Sequence, residues 1–404
     1  MFSFFYHVTI NLVLGLLRLL ALFIPKWKEF LNERNSKNKV SSNQKKYWIH
    51  CASLGEYEMA FPIIEELLKK NNLSDLLITF FSPSGYKQAI KGEYAESILY
   101  LPFDTRKNVN AFYNDYQPQT AIFIRYDLWF NYLHIGLDKG VKFFLVNGRF
   151  TKTHFIFKFI GKSYKKLVQR FEVLFLSDKQ SEFILREHNF TNFEWTGDTR
   201  YDRVSAIAQR ASAIVEIAEF KNDRKLLVVG SSWAPEENAV LKLLEKQNSD
   251  IAVVIAPHDI KRSAEIIAQF KKFGAIPFST YTKNTDAKVL VIDNIGMLSR
   301  IYQYADFCLI GGGFTGKLHN ILEPAVWGNP VLFGPHITKF PEATDFINKG
   351  FGFCLDDDQR WIDHFLSLAK DGKLIRETQQ KAKEFVRLQV GATRKICDKI
   401  MWRH

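Results

Sequence analysis

"DFCLIGGGFTGKLHNILEPAVWGNPVLFGPH", Asp306 to His336, carries the pattern on which the fold turns. The apolar run FCLI ends in three glycines, HNILEPAVWG follows with helical character, and NPVLFGP is a second short apolar run. Two β-rich runs joined through a helix lie parallel in one sheet. Between Gly311 and His336 stand six glycines and three prolines. Glycine accepts positive φ and lets backbone come close to a ligand. Backbone N–H groups at a helix start attract anions. Asn320 is placed to cap that helix, and Glu323 falls in its first turn, where a carboxylate can accept from ribose hydroxyls. A glycine-rich turn closed by a capping box, with Asn320 at the cap and Glu323 at the third helical position, fits the same letters.

The rhythm continues outward on both sides. Before the stretch, KYWIHCAS, DLLITFFS, ESILYLPFD, TAIFIRYD, KFFLVNGRF and VLFLSD read as strands. EYEMAFPIIEELLKK, RKNVNAFYNDYQ, LWFNYLHIGLDKG and KSYKKLVQRF read as helices between them, and a turn, PSG, precedes another helix. The pattern weakens over Arg203–Lys225 and restarts with KLLVVGSSW, IAVVIAPHD and KVLVIDN. Short apolar runs separated by helices imply parallel sheets covered on both faces. The fold class is therefore α/β with two Rossmann-like domains, spanning 45–205 and 224–385. A C-terminal helix at 386–404 is expected to pack back on the first domain.

The N-terminus differs. From Phe2 to Pro25 the run is largely apolar, interrupted most strongly by His7, Asn11 and Arg18. That length approaches the ~20 residues that cross a bilayer, but Arg18 is unfavourable at mid-membrane and suits a helix lying in the interface. Residues 1–30 are thus a membrane anchor or interfacial helix. Lys26, Lys28, Arg34, Lys37 and Lys39 follow it and predict a cytoplasmic location for the rest. Across all 404 residues, 55 Lys and Arg against 43 Asp and Glu give a net charge of +12, which suits an anionic partner. No dense basic block interleaved with aromatics is present, so nucleic acid is not expected. The four cysteines form no CxxC, and no HExxH, Walker A or GxSxG occurs, so no metal and no cofactor are expected.

In open parallel sheets, ligands bind beyond the carboxyl ends of the strands. The residues there are Ser53, Gly55 and Glu56; Ser82 and Ser84; Arg125; Ser231 and Ser232; His258; and Gly312 and Gly313. Glu56 opens a helix, where a carboxylate meets the dipole or serves as general base on an alcohol. Ser82 and Ser84 fit ordinary capping as well as binding. Arg149, Arg200, Lys261 and Arg262 are further candidates for anions.

The ordered set WIHCASLGEYEMAFPIIEEL, TFFSPSGYKQA, YLPFD, LWFN, FFLVNGRF, TGDTRYDRV, VVGSSWAPEE, IAPHDIKR and FCLIGGGF…HNILEPAVWGNPVLFGPH resembles the 3-deoxy-D-manno-octulosonic acid (Kdo) transferases of lipid A assembly. These are glycosyltransferases of family 30 with GT-B architecture. The resemblance implies two Rossmann-like domains whose sheets face across a cleft, CMP-Kdo as donor, a lipid A precursor (lipid IVA) as acceptor, and a place on the cytoplasmic face of the inner membrane. It implies Glu56 as catalytic base and Ser231, Ser232, His258, Gly312, Gly313, His319, Asn320 and Glu323 at the donor. Ser53, Gly55, Ser82, Ser84 and Arg125 fall to the acceptor. Arg125 and Asp127 stand where the family usually has two acidic residues, and Trp233 where His is common. A UDP- or GDP-sugar transferase acting on another lipid, and a non-catalytic binding module on the same fold, are the alternatives.

Overall fold

The structure is a computed structural model and describes residues 2–35, 40–246, 251–283, 286–355 and 358–402. Lys37 and Lys39 of the basic run lie outside these residues. The chain divides into two compact units, Met1–Arg203 with Val390–His404, and Val204–Gln389.

The first unit opens with α1 (Phe2–Phe23) and α2 (Pro25–Asn35). Pro25 has no N–H to continue the first helix and sits well at the start of the next. Strands and helices then alternate. They are β1 (Tyr47–Cys51), α3 (Leu54–Leu68), β2 (Leu76–Phe80), α4 (Pro83–Ala89), β3 (Ile98–Tyr100), α5 (Arg106–Tyr116), β4 (Thr120–Ile124), α6 (Phe130–Asp138), β5 (Lys142–Gly148), α7 (Lys162–Val168), β6 (Val173–Leu176), α8 (Lys179–Glu187), β7 (Phe193–Trp195) and α9 (Thr199–Gln209). The strands pair in parallel in the order β3-β2-β1-β4-β5-β6-β7. Every residue of β1, β2 and β4 is buried, as strands covered on both faces require. Side chains alternate between the faces: Trp48 packs with Phe112 and Phe123 on one, Ile49 with Ile63 and Phe144 on the other. The segment PSG is not a separate turn. Pro83 takes the first helical position of α4, where a missing N–H loses nothing, and Ser82 caps it.

The second unit repeats the plan. Its elements are α10 (Val215–Lys221), β8 (Lys225–Ser232), α11 (Ala234–Lys246), β9 (Ile251–Pro257), α12 (Ser263–Gln269), β10 (Ile276–Pro277), β11 (Val289–Val291), α13 (Leu298–Ile301), β12 (Phe307–Ile310), α14 (Leu322–Val326), β13 (Val331–Phe333), α15 (Pro341–Lys349), β14 (Gly352–Cys354), α16 (Asp358–Lys370) and α17 (Gly372–Gln389). Its parallel order is β10-β11-β9-β8-β12-β13-β14. The expected single C-terminal helix is two. Gly391 adopts φ 116° and breaks it. Beyond that break α18 (Ala392–Trp402) belongs to the first unit, where Ile396, Cys397 and Ile400 enter the core layer that holds Ile63.

Each sheet has a switch point at its centre, where the strand order reverses, between β1 and β4 in the first and between β8 and β12 in the second. Helices leave such a pair toward opposite faces, so a crevice opens at the strands' carboxyl ends.

Candidate functional site

In the first unit the switch point brings two sequence segments together. β1 runs into Ala52 and Ser53, and Glu56 stands in the first turn of α3. Its Oε2 accepts a hydrogen bond from the Ala52 N–H. The side chain is half-buried, and burial raises its carboxyl above the ordinary value. The Ala52 N–H, His50 and Arg125 draw it part of the way back, while Asp127 pushes it up. A Cβ built on Gly55 would meet nothing within 4 Å, so the surface beside Glu56 is open. Ser53 is the N-cap of α3 and makes no capping bond with its hydroxyl.

β4 pairs with β1 and delivers Arg125 and Asp127 beside this helix start. Arg125 sits at φ 58°, in the left-handed region that a long side chain rarely adopts. Its N–H is tied to the Val146 carbonyl at 2.9 Å. Its Nε is buried without a hydrogen-bond partner. Strained backbone and an unsatisfied guanidinium nitrogen oppose stability, and such features gather where a ligand is handled. Behind Glu56 a buried chain runs inward. His50 Nε2 lies 2.8 Å from Asp127 Oδ2 and its Nδ1 2.8 Å from Thr79 Oγ1. Trp129 Nε1 donates to the same Asp127 oxygen at 3.0 Å.

Other expected residues of this unit are already engaged. Arg200 grips Asp198 Oδ2 through Nε at 2.9 Å and Nη2 at 2.8 Å. Burial alone would raise the Asp198 carboxyl, but Arg200 holds it below the usual range. Arg149 Nε lies 3.7 Å from Asp178. Ser82 Oγ accepts from the Gly85 N–H at 3.3 Å and lies 2.9 Å from Ser84 Oγ, which is capping geometry. A cavity of about 710 Å³ beside Asn114, Gln117 and Lys142 opens at the amino ends of β4 and β5, the sheet edge away from Glu56.

In the second unit, β8 ends at Ser231 and Ser232, and β12 leads directly into Gly311–Gly313. Glycines were expected there to let backbone meet a ligand; they first let backbone meet backbone. A Cβ on Gly311 would lie 1.9 Å from the Ser231 carbonyl oxygen, and one on Gly313 2.4 Å from the Gly334 nitrogen. Gly312, at φ 86°, donates its N–H to Glu236 Oε1 at 2.9 Å. Ser231 is left-handed at φ 52°, and Ser232 donates its hydroxyl to Glu237 Oε1 at 2.9 Å. Glu236 and Glu237 have no exposed surface and organise the whole turn. Glu236 Oε2 also accepts from the Trp233 N–H at 3.1 Å, and burial raises its carboxyl in spite of these bonds. Glu237 binds Arg262 at 3.0 and 2.8 Å, so that guanidinium is not a free anion contact.

The helix after the glycines is short. α14 has five residues, with Ile321 at its N-cap and Glu323 second rather than third. Asn320 lies one residue before the cap. It still accepts from the Leu322 N–H at 3.1 Å and donates to Glu323 Oε1 at 3.0 Å. The rings of Trp233 and His258 stack at 4.4 Å, and His319 follows 4.7 Å from His258. Burial, aided by His258, holds His319 down at about 4, so it is neutral near pH 7. Trp233 Nε1 is buried without a partner. Flat rings beside a carboxylate and an amide can stack a base and bind a sugar.

Sequence reasoning passed over the His50–Asp127 pair, Glu236, Glu237 and the stacking role of Trp233. His50 had a signal, a polar residue inside the apolar run YWIHC. Glu236 and Glu237 had another, two carboxylates in a first helical turn directly after a strand-end turn.

Residues 26–203 match the family model described as 3-Deoxy-D-manno-octulosonic-acid transferase (kdotransferase). The 3-deoxy-D-manno-octulosonic acid transferase of Aquifex aeolicus (strain VF5) is 25% identical over 347 residues, covering 83% of this chain and 89% of that one. The enzyme of the same name from Chlamydophila psittaci is 26% identical over 324 residues, covering 76% and 74%. The chain is thus similar to Kdo transferases over most of its length, and its first half matches their family model. These relatives are glycosyltransferases. A bifunctional glycosyltransferase/methyltransferase of Fusobacterium nucleatum is 24% identical over 86% of this chain, which spans only 57% of that relative. Among solved structures, the UDP-GlcNAc 2-epimerase of Neisseria meningitidis aligns with TM-score 0.62 at 15% identity, over 89% of this chain and all of that one. MurG of Acinetobacter baumannii aligns with TM-score 0.57 at 12% identity, over 88% and 99%. These two likenesses are of fold, the GT-B type.

Proposed function

We propose that the chain transfers Kdo from CMP-Kdo to a lipid A precursor in lipopolysaccharide synthesis, at the cytoplasmic face of the inner membrane. The match to the Kdo transferase family model and the similarity to enzymes of that name support the sugar. The observation that carries the chemistry is Glu56, a half-buried carboxylate with raised proton affinity at a helix start, beside the open surface of Gly55 and the unsatisfied Nε of Arg125. A base whose pKa is raised toward the working pH accepts a proton more effectively.

In the proposed step Glu56 takes the proton of an acceptor hydroxyl. The oxygen forms a bond to the anomeric carbon of Kdo from the face opposite the phosphate. The bond to the phosphate oxygen breaks, its electron pair leaves with CMP, and the configuration inverts. Arg125, whose positive charge is close enough to act on Glu56, receives a phosphate of the acceptor. Ser53 and Gly55 border the same surface. For the donor, Trp233, His258 and His319 stack the cytosine and Glu323, oriented by Asn320, accepts from the ribose. Residues 231–232 and 312–313 shape the turn around the phosphate. The proposal needs no metal, since fixed dipoles and N–H groups can stabilise the departing phosphate.

Mass spectrometry of acceptor incubated with CMP-Kdo tests the reading. The native chain is expected to add Kdo. Glu56→Gln is expected to lose on the order of 10²–10⁴-fold in rate while retaining CMP binding. Turnover by Glu56→Gln at the native rate, or a preference for UDP or GDP over CMP in a thermal-shift series, overturns it.

A further inference from the structure

The first helix is long and apolar enough to cross a membrane, yet its contacts fix it differently. Tyr6 donates to Asp104 Oδ2 at 2.6 Å, and His7 Nε2 lies 2.6 Å from Asn131 Oδ1. Phe2 packs edge-on against Phe130 at 5.0 Å. The other end of the pair is held too: in α2, Arg34 donates to the carbonyls of Leu101 and Phe81, and Lys87 bridges Glu29 and Glu33. Between these ends, His7, Asn11, Leu14, Gly15 and Arg18 recur at helical spacing and face the unit, lining a pocket of about 520 Å³ with Phe103 and Thr105–Asn108. Among α1 residues only Leu14 is buried. The opposite face, Phe5, Val8, Leu12, Leu16, Leu19 and Phe23, is apolar and exposed.

A spanning helix needs about 20 residues free within the hydrocarbon. Here residues 2–18 lie against the folded unit, so the unit would have to enter the bilayer with them. A helix with one polar face docked and one apolar face bare suits the interfacial plane. The pocket under it supplies the matching charge. Arg18, Arg106 and Lys107 wall it. Arg106 Nε lies 3.1 Å from His7 Nε2, and its Nη2 donates to Ser3 Oγ at 3.4 Å. Among the described residues none of the three cations forms a recorded ion pair with a carboxylate.

We propose that α1 lies in the plane of the membrane with its exposed apolar face among the acyl chains, and that the pocket walled by Arg18, Arg106 and Lys107 takes the phosphate of an anionic lipid headgroup. The inference rests on the proposed membrane location but not on the transfer chemistry.

Flotation of the full chain with vesicles of phosphatidylcholine, or of phosphatidylcholine with phosphatidylglycerol, tests it at low salt. The variant Arg18→Ala/Arg106→Ala/Lys107→Ala is expected to lose about fivefold per charge, on the order of a hundredfold in all, on anionic vesicles, and little on neutral ones. Leu12→Asn/Leu16→Asn/Leu19→Asn is expected to lose binding to both. Because Arg106 also holds His7, Lys107→Glu is the second probe, expected to lose roughly tenfold or more on anionic vesicles alone. In a Cys354→Ser background, Ser3→Cys near the start of α1 and Lys26→Cys just beyond its end, an exposed polar position, are both expected to react with a bilayer-impermeant maleimide added outside the vesicles. Native-like binding of both basic variants overturns the headgroup site, and protection of one labelled end overturns the in-plane helix. Neither readout involves sugar transfer, so failure here leaves the Kdo reading standing.

Discussion

A carboxylate that takes a proton from a sugar hydroxyl must be ionised when the substrate arrives, yet basic enough to hold the proton afterwards. Glu56 meets both demands because burial raises its carboxyl above the ordinary 4.5 while the Ala52 N–H keeps its charged form bonded. The rate of transfer is therefore expected to fall on the acid side with a midpoint above 4.5, and this limb should vanish from the residual rate of Glu56→Gln. Stability carries the opposite sign. A folded pKa above the unfolded one stabilises the fold below the unfolded value, and this is lost as pH rises through the folded value. At neutral pH ionised Glu56 therefore detracts from stability, and Glu56→Gln is expected to melt no lower than the native chain. An inactive variant that melts well below it would mark Glu56 as structural. This residue was legible because one local segment, SLGE after a strand, contains everything that places it. The His50–Asp127 pair was not, because 77 residues separate its members and only the β1–β4 pairing joins them.

Elements in this protein are positioned by where backbone can touch backbone. Gly313 and Gly334 bring the loops after β12 and β13 together, and a methyl group on Gly313 would press on main-chain atoms that have nowhere to go. Gly313→Ala is expected to destabilise the second unit by about 1–3 kcal/mol in denaturant titrations, as overpacking does. Gly55→Ala adds the same methyl to an open helical position and is expected to stabilise the first unit by up to ~1 kcal/mol. Equal effects at the two sites would remove the packing explanation. The glycines were visible in the sequence, but not which of them face protein and which face solvent; that depends on loops brought together by sheet pairing. Central strands were visible for a related reason: each is an unbroken apolar run. The edge strands β7, β10 and β14 escaped, since they have three, two and three residues and at most one buried position each. With a single covered face or less, such a strand leaves no apolar run to find.

At the scale of the molecule, the two repeats of sheet and helix were legible as two runs of alternating pattern, and the basic excess as a preference for anionic partners. The return of the chain end to its beginning is settled by particular bonds. Asp202, in α9, accepts from the Gly391 N–H at 2.7 Å, the Thr393 N–H at 2.9 Å and the Thr393 hydroxyl at 2.9 Å. This fixes the entry of α18, which lays Ile396, Cys397 and Ile400 into the core layer of α3, the helix that carries Glu56. Burying two isoleucines contributes roughly 3–6 kcal/mol, a large part of the 5–15 kcal/mol typical of a whole domain. A chain ending at Gln389 is therefore expected to lose much of the first unit's stability and, with the seating of α3, its transfer activity. Asp202→Ala, which strands the Gly391 and Thr393 donors, should show the same loss in smaller measure, about 1–3 kcal/mol for each donor that stays buried. The second unit contains none of these residues, so CMP binding and the melting of that unit are expected to persist in the shortened chain. Calorimetry should then resolve an early transition from the first unit and an unmoved one from the second. A single transition at the native temperature would show that α18 contributes nothing to the platform on which Glu56 stands.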